Sequence, residues 1–228
     1  MAVLERVGSN NGWREARYVK ERERMVEVQL RKRGITDERV LAAMGRVPRH
    51  LFVEEALRDQ AYGDRPLPIG TGQTISQPYM VAIMCQFLAL LGAEKVLEVG
   101  TGSGYQAAVL AELARKVYTV ERIAFLAARA RETLESLHYT NILVKVGDGT
   151  VGWEDEAPFD RVIVAAASPE VPAPLFQQLA EGGRMVVPVG DAHGQTLHVV
   201  EKVNGQMRVS TDVGCVFVRL IGKYGWGE

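Results

Sequence analysis

One ten-residue segment constrains the fold of this chain more than any other: Val96-Leu97-Glu98-Val99-Gly100-Thr101-Gly102-Ser103-Gly104-Tyr105. Apolar residues surround a single acid, three glycines then alternate with small hydroxyl residues, and a helix-forming run begins. A buried strand that leads through a glycine turn into a helix is typical of a nucleotide-binding βα unit. The segment therefore predicts an α/β fold with a ligand at this turn.

The spacing of the glycines narrows the class of ligand. A dinucleotide-binding fingerprint places its third glycine three residues after the second, and Tyr105 occupies that position here. The glycines instead fall at every second residue, and an acid lies inside the strand. This pattern favours a small, positively charged ligand without a pyrophosphate over NAD.

Composition bounds the class of protein. The chain has 228 residues, enough for one sizeable α/β domain or a domain with an added cap, and its 47% apolar and 24% charged residues are ordinary for a soluble globular protein. A net charge of −1 offers no general electrostatic attraction for nucleic acid. No apolar run reaches the roughly 18 residues of a membrane span, and the two cysteines predict no disulfide framework. We therefore expect a cytoplasmic protein with neither a nucleic-acid nor a membrane partner.

From residue 95 onward the sequence alternates between apolar strands and helical runs. The predicted strands are 95–99, 117–121, 142–146, 159–165 and 184–189, and the predicted helices are 104–114, 123–138 and 172–180. Helical runs of this length between strands predict a parallel sheet with helices on both faces. Farther on, Asn204-Gly205 separates two apolar segments and predicts a hairpin added to the edge of the sheet.

The part before the sheet has a different pattern. Residues 1–12 are polar and predict a loose tail, and a charged run from Trp13 to Arg33 predicts a long helix that ends at Gly34. We expect residues 1–72 to form an N-terminal helical extension and loop, and residues 73–228 to form the main domain.

Carboxylates recur at the ends of successive predicted strands, where open α/β sheets bind their ligands. Glu121 ends the second strand, about 20 residues after the glycine turn, and suits the two hydroxyls of a ribose. Asp148 follows the third strand and is placed to accept from an exocyclic amine such as that of adenine. Glu98 either anchors the backbone of the turn or faces an ammonium group.

These features together resemble the class I S-adenosylmethionine-dependent methyltransferases, through the glycine turn, Glu121 and Gly147-Asp148-Gly149. Two further segments resemble one family in particular, protein-L-isoaspartate O-methyltransferase. They are Gly72-Gln73-Thr74-Ile75-Ser76-Gln77-Pro78, and Ala165-Ala166-Ala167-Ser168-Pro169 with the later Gly182-Gly183-Arg184-Met185-Val186-Val187-Pro188-Val189-Gly190. The likeness covers residues 26–226 nearly throughout.

The resemblance implies a fold and an activity. The fold is Rossmann-like, with a mostly parallel seven-stranded sheet, helices on both faces and an N-terminal helical extension. The activity transfers a methyl group from S-adenosylmethionine to the free α-carboxylate of L-isoaspartyl residues in damaged proteins and peptides, and leaves S-adenosylhomocysteine. The ester then closes to a succinimide without further catalysis, and hydrolysis returns some normal aspartate. We expect the enzyme to be a monomer.

The resemblance also assigns residues. Ser76 is the expected catalytic residue, which holds the substrate carboxylate, and Val218 is expected to contact the substrate with it. The expected cofactor-binding residues are Gln73, Thr74, Ile75, Ser76, Glu98, Gly100, Thr101, Gly102, Gly104, Tyr105, Glu121, Arg122, Asp148 and Gly149.

The implied reaction makes modest demands on the protein. The substrate carboxylate has a reference pKa of about 3.5, is ionised at pH 7, and needs no general base. Positioning of the two reactants supplies about 7–11 kcal/mol where the geometry is right, and a dry site favours a step in which opposite charges neutralise each other. Ser76 has a second interpretation as a helix N-cap, since Pro78 lies two residues further on.

The sequence leaves several alternatives open. The segment Phe217-Val218-Arg219-Leu220 also resembles the tail of that family, but it has Arg219 where the family commonly has proline, and Arg219 either binds a carboxylate or faces solvent. Residues 215–218 either offer a strand edge to a substrate or form an ordinary strand.

Another class I methyltransferase, acting on a small molecule or another protein acceptor, is the main rival function, and a catalytically silent peptide-binding module is a second. The four histidines have no ligand spacing, so we expect no metal.

Overall fold

The computed structural model describes residues 5–191 and 193–227. Its first helix, α1 (Glu5–Arg24), continues as a π-helical turn (Met25–Leu30) and a 3₁₀ turn (Arg31–Arg33). The run ends at Gly34, whose φ of 95° confirms the predicted helix end. The predicted loose tail is wrong from Glu5 onward, because a helix that has already nucleated gains one hydrogen bond for each residue added.

The next segment leads from the N-terminal helices to the sheet. Helix α2 (Glu38–Arg46) begins at Asp37, whose carboxylate accepts hydrogen bonds from the backbone N–H groups of Arg39 and Val40. Two short 3₁₀ turns follow at Arg49–Phe52 and Glu55–Gln60. Strands β1 (Leu67–Gly70) and β2 (Gln73–Ile75) then pair as an antiparallel hairpin, after which comes α3 (Pro78–Leu88).

A seven-stranded sheet forms the centre of the protein, in the spatial order β5-β4-β3-β6-β7-β8-β9. The first five strands in that order are parallel, and β8 and β9 are antiparallel to their neighbours. In chain order the strands are β3 (Lys95–Val99), β4 (Lys116–Glu121), β5 (Ile142–Val146), β6 (Phe159–Val164), β7 (Leu179–Gly190), β8 (Gln195–Val203) and β9 (Gln206–Cys215). The prediction of a mostly parallel seven-stranded sheet is confirmed.

The helices between the strands are α4 (Tyr105–Ala111), α5 (Ala124–Ser136) and α6 (Ala173–Gln177). Helix α6 is shorter than the predicted 172–180 because β7 begins at Leu179, before the predicted 184. The predicted hairpin between β8 and β9 is present. Asn204 and Gly205 form its turn with φ values of 55° and 73°, as a two-residue hairpin turn requires.

Two apolar clusters cover the two faces of the sheet. One contains buried residues of the N-terminal segment, such as Leu30, together with Val96 of β3 and Val109 of α4. The other contains Leu97 of β3 and Leu175 of α6. Successive strand residues therefore face opposite clusters, as the pleat of a strand requires. The division between residues 72 and 73 stays a proposal. It falls between paired strands, and buried residues on both sides of it share one cluster.

In the part of the chain that the structure describes, no helix combines the length and apolar character that a membrane crossing needs.

Candidate active site

A cleft opens at the carboxyl ends of the central parallel strands, which is where open α/β sheets place their ligands. Its volume is about 790 Å³ when the space open to solvent is included. Strand β2 together with Ser76 forms one part of the wall, and most of the predicted cofactor residues lie there or on the glycine turn. The predicted residues that line the cleft are Gln73, Thr74, Ile75 and Ser76, then Gly100, Thr101, Gly102 and Tyr105, then Glu121, Arg122, Gly149 and Val218.

The glycine turn after β3 has a backbone that only glycine adopts easily. Gly100, Gly102 and Gly104 have φ values of 93°, 54° and 87°. Gly104 does not line the cleft. It begins α4, and a Cβ there would lie 3.2 Å from the Cβ of Ala130. Its role is to let α4 pack closely, while Gly100 and Gly102 present bare backbone to the cleft.

Glu121 at the end of β4 holds the turn by a direct hydrogen bond. One carboxylate oxygen accepts a hydrogen bond from the Gly102 N–H at 2.9 Å, and the other accepts from the Ile123 N–H at 3.0 Å. The side chain is buried yet lines the cleft. Because an ionised carboxylate accepts about four hydrogen bonds, Glu121 retains acceptor capacity for the two hydroxyls of a ligand diol.

Glu98 lies beneath the turn, outside the cleft wall, and is fully buried. One of its oxygens accepts a hydrogen bond from the Thr119 hydroxyl at 2.6 Å, and that hydroxyl lies 2.6 Å from the Thr101 hydroxyl on the turn. Its other oxygen and the side-chain nitrogen of Gln106 have no hydrogen-bond partner among the described residues. Burial raises the pKa of Glu98 to about 8. The turn backbone is therefore anchored directly by Glu121, and Glu98 reaches it through two threonines.

Asp148 also lies outside the cleft wall. Its Oδ1 accepts hydrogen bonds from the N–H and the hydroxyl of Thr150, at 2.8 and 2.6 Å, and its Oδ2 accepts from the Lys223 N–H at 2.8 Å. Partial burial opposes ionisation, but the hydrogen bonds from Thr150 and Lys223 outweigh it and lower the pKa of Asp148. Its contact with an adenine amine stays a prediction, while its contact with the C-terminal segment is part of the fold.

Ser76 lies where two depressions meet. It lines the cleft, and it also lines a neighbouring groove with Met80, Cys215 and Phe217. The N-cap of α3 is Gln77, so the interpretation of Ser76 as the N-cap is wrong. Among the described residues, no hydrogen-bond partner engages the Ser76 hydroxyl. The hydroxyl is therefore available to a ligand that spans cleft and groove.

The predicted strand over 215–218 ends early. Strand β9 stops at Cys215, and the side chain of Val216 is 82% exposed. The following residues turn toward the end of β6, where the Val218 carbonyl accepts from the Ala167 N–H and the Leu220 N–H donates to the Ala167 carbonyl, both at 2.8 Å. This pairing brings Val218 to the cleft wall.

Sequence reasoning missed part of the wall. The small residues Ala165 and Ala166 after β6 line the cleft, and so do Arg219, Leu220 and Ile221. The alanines belong to a segment that the resemblance singled out, which was an available signal. The position of the C-terminal residues depends on a contact made across the fold.

Metal binding finds no support within residues 5–191 and 193–227. That part of the chain contains no group of three or more His, Cys, Asp or Glu residues arranged to hold a metal ion.

Known proteins of one family are similar to this chain in sequence. A family model described as protein-L-isoaspartate(D-aspartate) O-methyltransferase (PCMT) matches residues 20–225. Protein-L-isoaspartate O-methyltransferase 1 of Syntrophobacter fumaroxidans is 60% identical over 209 residues, which are 92% of this chain and 98% of that protein. The protein-L-isoaspartate O-methyltransferase of Methanoculleus marisnigri is 57% identical over 207 residues, covering 91% of this chain and 94% of that protein.

Two solved structures share the fold. One is a protein-L-isoaspartate O-methyltransferase with a TM-score of 0.82 at 28% identity, covering 90% of this chain and 67% of the other. The second is a PCMT structure from Plasmodium falciparum in complex with S-adenosyl-L-homocysteine. Its TM-score is 0.77 at 27% identity, and the match covers 88% of this chain and 98% of the other.

Proposed function

This chain belongs to the protein-L-isoaspartate(D-aspartate) O-methyltransferase family, and from that membership we infer its function. It is a protein repair enzyme that transfers a methyl group from S-adenosylmethionine to the free α-carboxylate of L-isoaspartyl residues. Its substrates are damaged proteins and peptides. The observation that carries this conclusion is the 60% identity to a protein-L-isoaspartate O-methyltransferase over 92% of this chain.

The residues of the cleft fit the cofactor. Bound S-adenosylmethionine supplies a methyl group activated by a sulfonium and offers a ribose diol. In our proposal the diol lies against Glu121, whose acceptor capacity is only partly used by the Gly102 and Ile123 N–H groups. The bare backbone at Gly100 and Gly102 permits close approach of the cofactor, and residues 73–76 form another part of the cleft wall.

The substrate is proposed to enter through the groove that meets the cleft at Ser76. The Ser76 hydroxyl donates a hydrogen bond to the α-carboxylate and holds it toward the cleft. No residue has to remove a proton, because the carboxylate is already ionised at pH 7. The backbone at Val218 contributes the other side of the substrate position.

Water exclusion is the remaining task of the wall. Ala165, Ala166 and Val218 are small or apolar and line the cleft. A site that excludes water favours a reaction in which a cation and an anion neutralise each other. Together with positioning, this accounts for catalysis without an acid–base pair.

The decisive experiment compares two peptides that differ only in one linkage. Purified enzyme is given S-adenosylmethionine with a labelled methyl group and either an isoaspartyl peptide or its aspartyl counterpart. The expected result is base-labile label on the isoaspartyl peptide alone. Label on neither peptide, with S-adenosylhomocysteine still raising the melting temperature, would favour the rival class I methyltransferase with another acceptor.

We further propose that the enzyme acts in the cytoplasm as a monomer, on proteins rather than nucleic acids. Its two cysteines are free and buried, which suits a reducing compartment. Cell fractionation tests the location, light scattering of the purified protein tests the oligomeric state, and methylation assays on RNA and DNA test the choice of acceptor.

A further inference from the structure

Arg219 lies on the cleft wall in a segment whose backbone is held on both sides. The preceding carbonyl, of Val218, accepts from the Ala167 N–H, and the following N–H, of Leu220, donates to the Ala167 carbonyl. Trp226 reinforces this arrangement, because its indole N–H donates to the same Ala167 carbonyl at 3.0 Å. The position of the Arg219 Cα, from which the side chain extends, is therefore fixed.

The charge of Arg219 is not neutralised by the part of the protein that the structure describes. The side chain is exposed, and its guanidinium lies 5.4 Å from the centre of the Trp226 ring. None of the ion pairs within residues 5–191 and 193–227 includes it. Stacking on an aromatic ring holds a guanidinium in place and leaves its hydrogen-bond donors available to an anion.

Arg219 belongs to a segment that also lines the groove proposed for the substrate peptide. Phe217, two residues earlier, lines the groove that meets the cleft at Ser76. Val216 on the same segment is almost fully exposed beside that groove. A peptide whose isoaspartyl residue reaches Ser76 therefore passes the segment that carries Arg219.

The reacting carboxylate is a poor partner for Arg219. An ion pair with an arginine stabilises the anion in the ground state, and the carboxylate loses its charge as it is methylated. Such a pair would raise the barrier, since only interactions that are stronger in the transition state accelerate a reaction. A carboxylate elsewhere on the peptide does not react and keeps its charge. An ion pair between it and Arg219 therefore strengthens peptide binding without raising the barrier to methylation.

We propose that Arg219 is a specificity-determining residue that favours isoaspartyl sites with an aspartate or glutamate side chain in a neighbouring position of the substrate. This inference rests on the proposed function. The proposed role belongs to the charged side chain of Arg219 and concerns the peptide, whereas residues 219–221 as a segment also form part of the cleft wall.

The test uses three isoaspartyl peptides that differ only in the residues flanking the damaged site, which are acidic, neutral or basic. The wild-type enzyme is expected to methylate the acidic peptide with a kcat/KM about fivefold above that of the neutral peptide, the size that an exposed ion pair supports. The difference should lie in KM and shrink at high salt.

Variants then assign the preference to one side chain. Arg219→Gln should lower the ratio of acidic to neutral kcat/KM to about one, and Arg219→Glu should reverse the preference toward the basic peptide. Arg208→Gln is the matched control, since Arg208 is an exposed arginine on β9 that does not line the cleft. Its ratio should equal that of the wild type.

Three outcomes would overturn the inference: equal kcat/KM for all three peptides with the wild type, an unchanged ratio in Arg219→Gln, or a matching loss of S-adenosylhomocysteine affinity in that variant. If Arg219→Gln does not fold, the salt dependence of the wild-type ratio decides, and a salt-independent ratio contradicts the proposal. Failure of the wild type to methylate any isoaspartyl peptide would instead refute the proposed function.

Discussion

The carboxylate of Asp148 accepts a hydrogen bond of 2.8 Å from the backbone N–H of Lys223, a residue 75 positions later in the chain. The approach is close, since a Cβ on Gly222 would lie 2.1 Å from Asp148 Oδ1. This contact ties the C-terminal segment to the loop after β5. It thereby helps to place Arg219, Leu220 and Ile221 on the cleft wall.

Replacement of Asp148 should loosen that segment. Asp148→Ala removes the acceptor for the Lys223 N–H and for the N–H and hydroxyl of Thr150, at a cost of about 1–3 kcal/mol in the free energy of unfolding. Affinity for S-adenosylhomocysteine, measured by calorimetry, should fall about tenfold because part of the wall is less well ordered. Asp155→Ala, an exposed acid in the following connection, serves as the control and should match the wild type.

Ser76 should separate substrate binding from cofactor binding. Ser76→Ala removes a hydroxyl that no described residue engages, so stability should change by less than about 0.5 kcal/mol. We expect kcat/KM for an isoaspartyl peptide to fall about tenfold to a hundredfold, with S-adenosylhomocysteine affinity within about twofold of the wild type. Equal losses of both quantities would identify Ser76 as a residue of the cofactor site or of the fold.

Glu121 should matter mainly for the cofactor. In Glu121→Gln only one side-chain oxygen remains as an acceptor, so either the Gly102 or the Ile123 N–H loses its partner. A hydrogen bond to a charged group contributes about 1.5–3 kcal/mol, and we expect the affinity for S-adenosylhomocysteine to fall at least tenfold. Calorimetric titration measures it. Glu170→Gln, at an exposed position, is the control, and an equal effect there would contradict the assignment.

Glu98 should make stability depend on pH in a defined direction. Its pKa in the folded protein is about 8, whereas the ordinary value is 4.5, so the unfolded chain ionises first as pH rises. The wild-type free energy of unfolding should therefore decrease between about pH 4.5 and pH 8 by a few kcal/mol from this group.

Glu98→Gln has no proton to lose, and it should not share that decrease. Urea unfolding of both proteins across this pH range measures the difference in stability, which should grow in favour of the variant as pH rises. The contributions of the other titrating groups to the free energy of unfolding are the same in both proteins and cancel in the difference. A difference that stays constant from pH 4.5 to 8 would show that Glu98 is not buried as a neutral acid.

Short stretches of sequence were sufficient to predict the elements that have a regular apolar pattern or that need an unusual backbone conformation. The alternation of apolar strands and helical runs predicted β3 to β7, because each of these strands contains a short apolar run and lies between helix-forming or turn-forming segments. The glycines of the turn and Asn204-Gly205 predicted positive φ values, since few other residues adopt that conformation. Glu121 was predicted at the cleft because the carboxyl ends of parallel strands form the edge where open α/β sheets bind their ligands.

The sequence by itself determined the succession of strands and helices from β3 onward, the glycine turn and, through its resemblance, the family. Only the tertiary structure decided the surroundings of individual side chains. It placed Asp148 against Lys223, buried Glu98 beneath the turn, and turned the chain after Cys215 so that Arg219 reaches the cleft. The reason is physical. Periodicity and turn chemistry act over a few neighbouring residues, whereas a hydrogen bond across 75 residues, or the burial of a carboxylate, depends on how distant segments pack against one another.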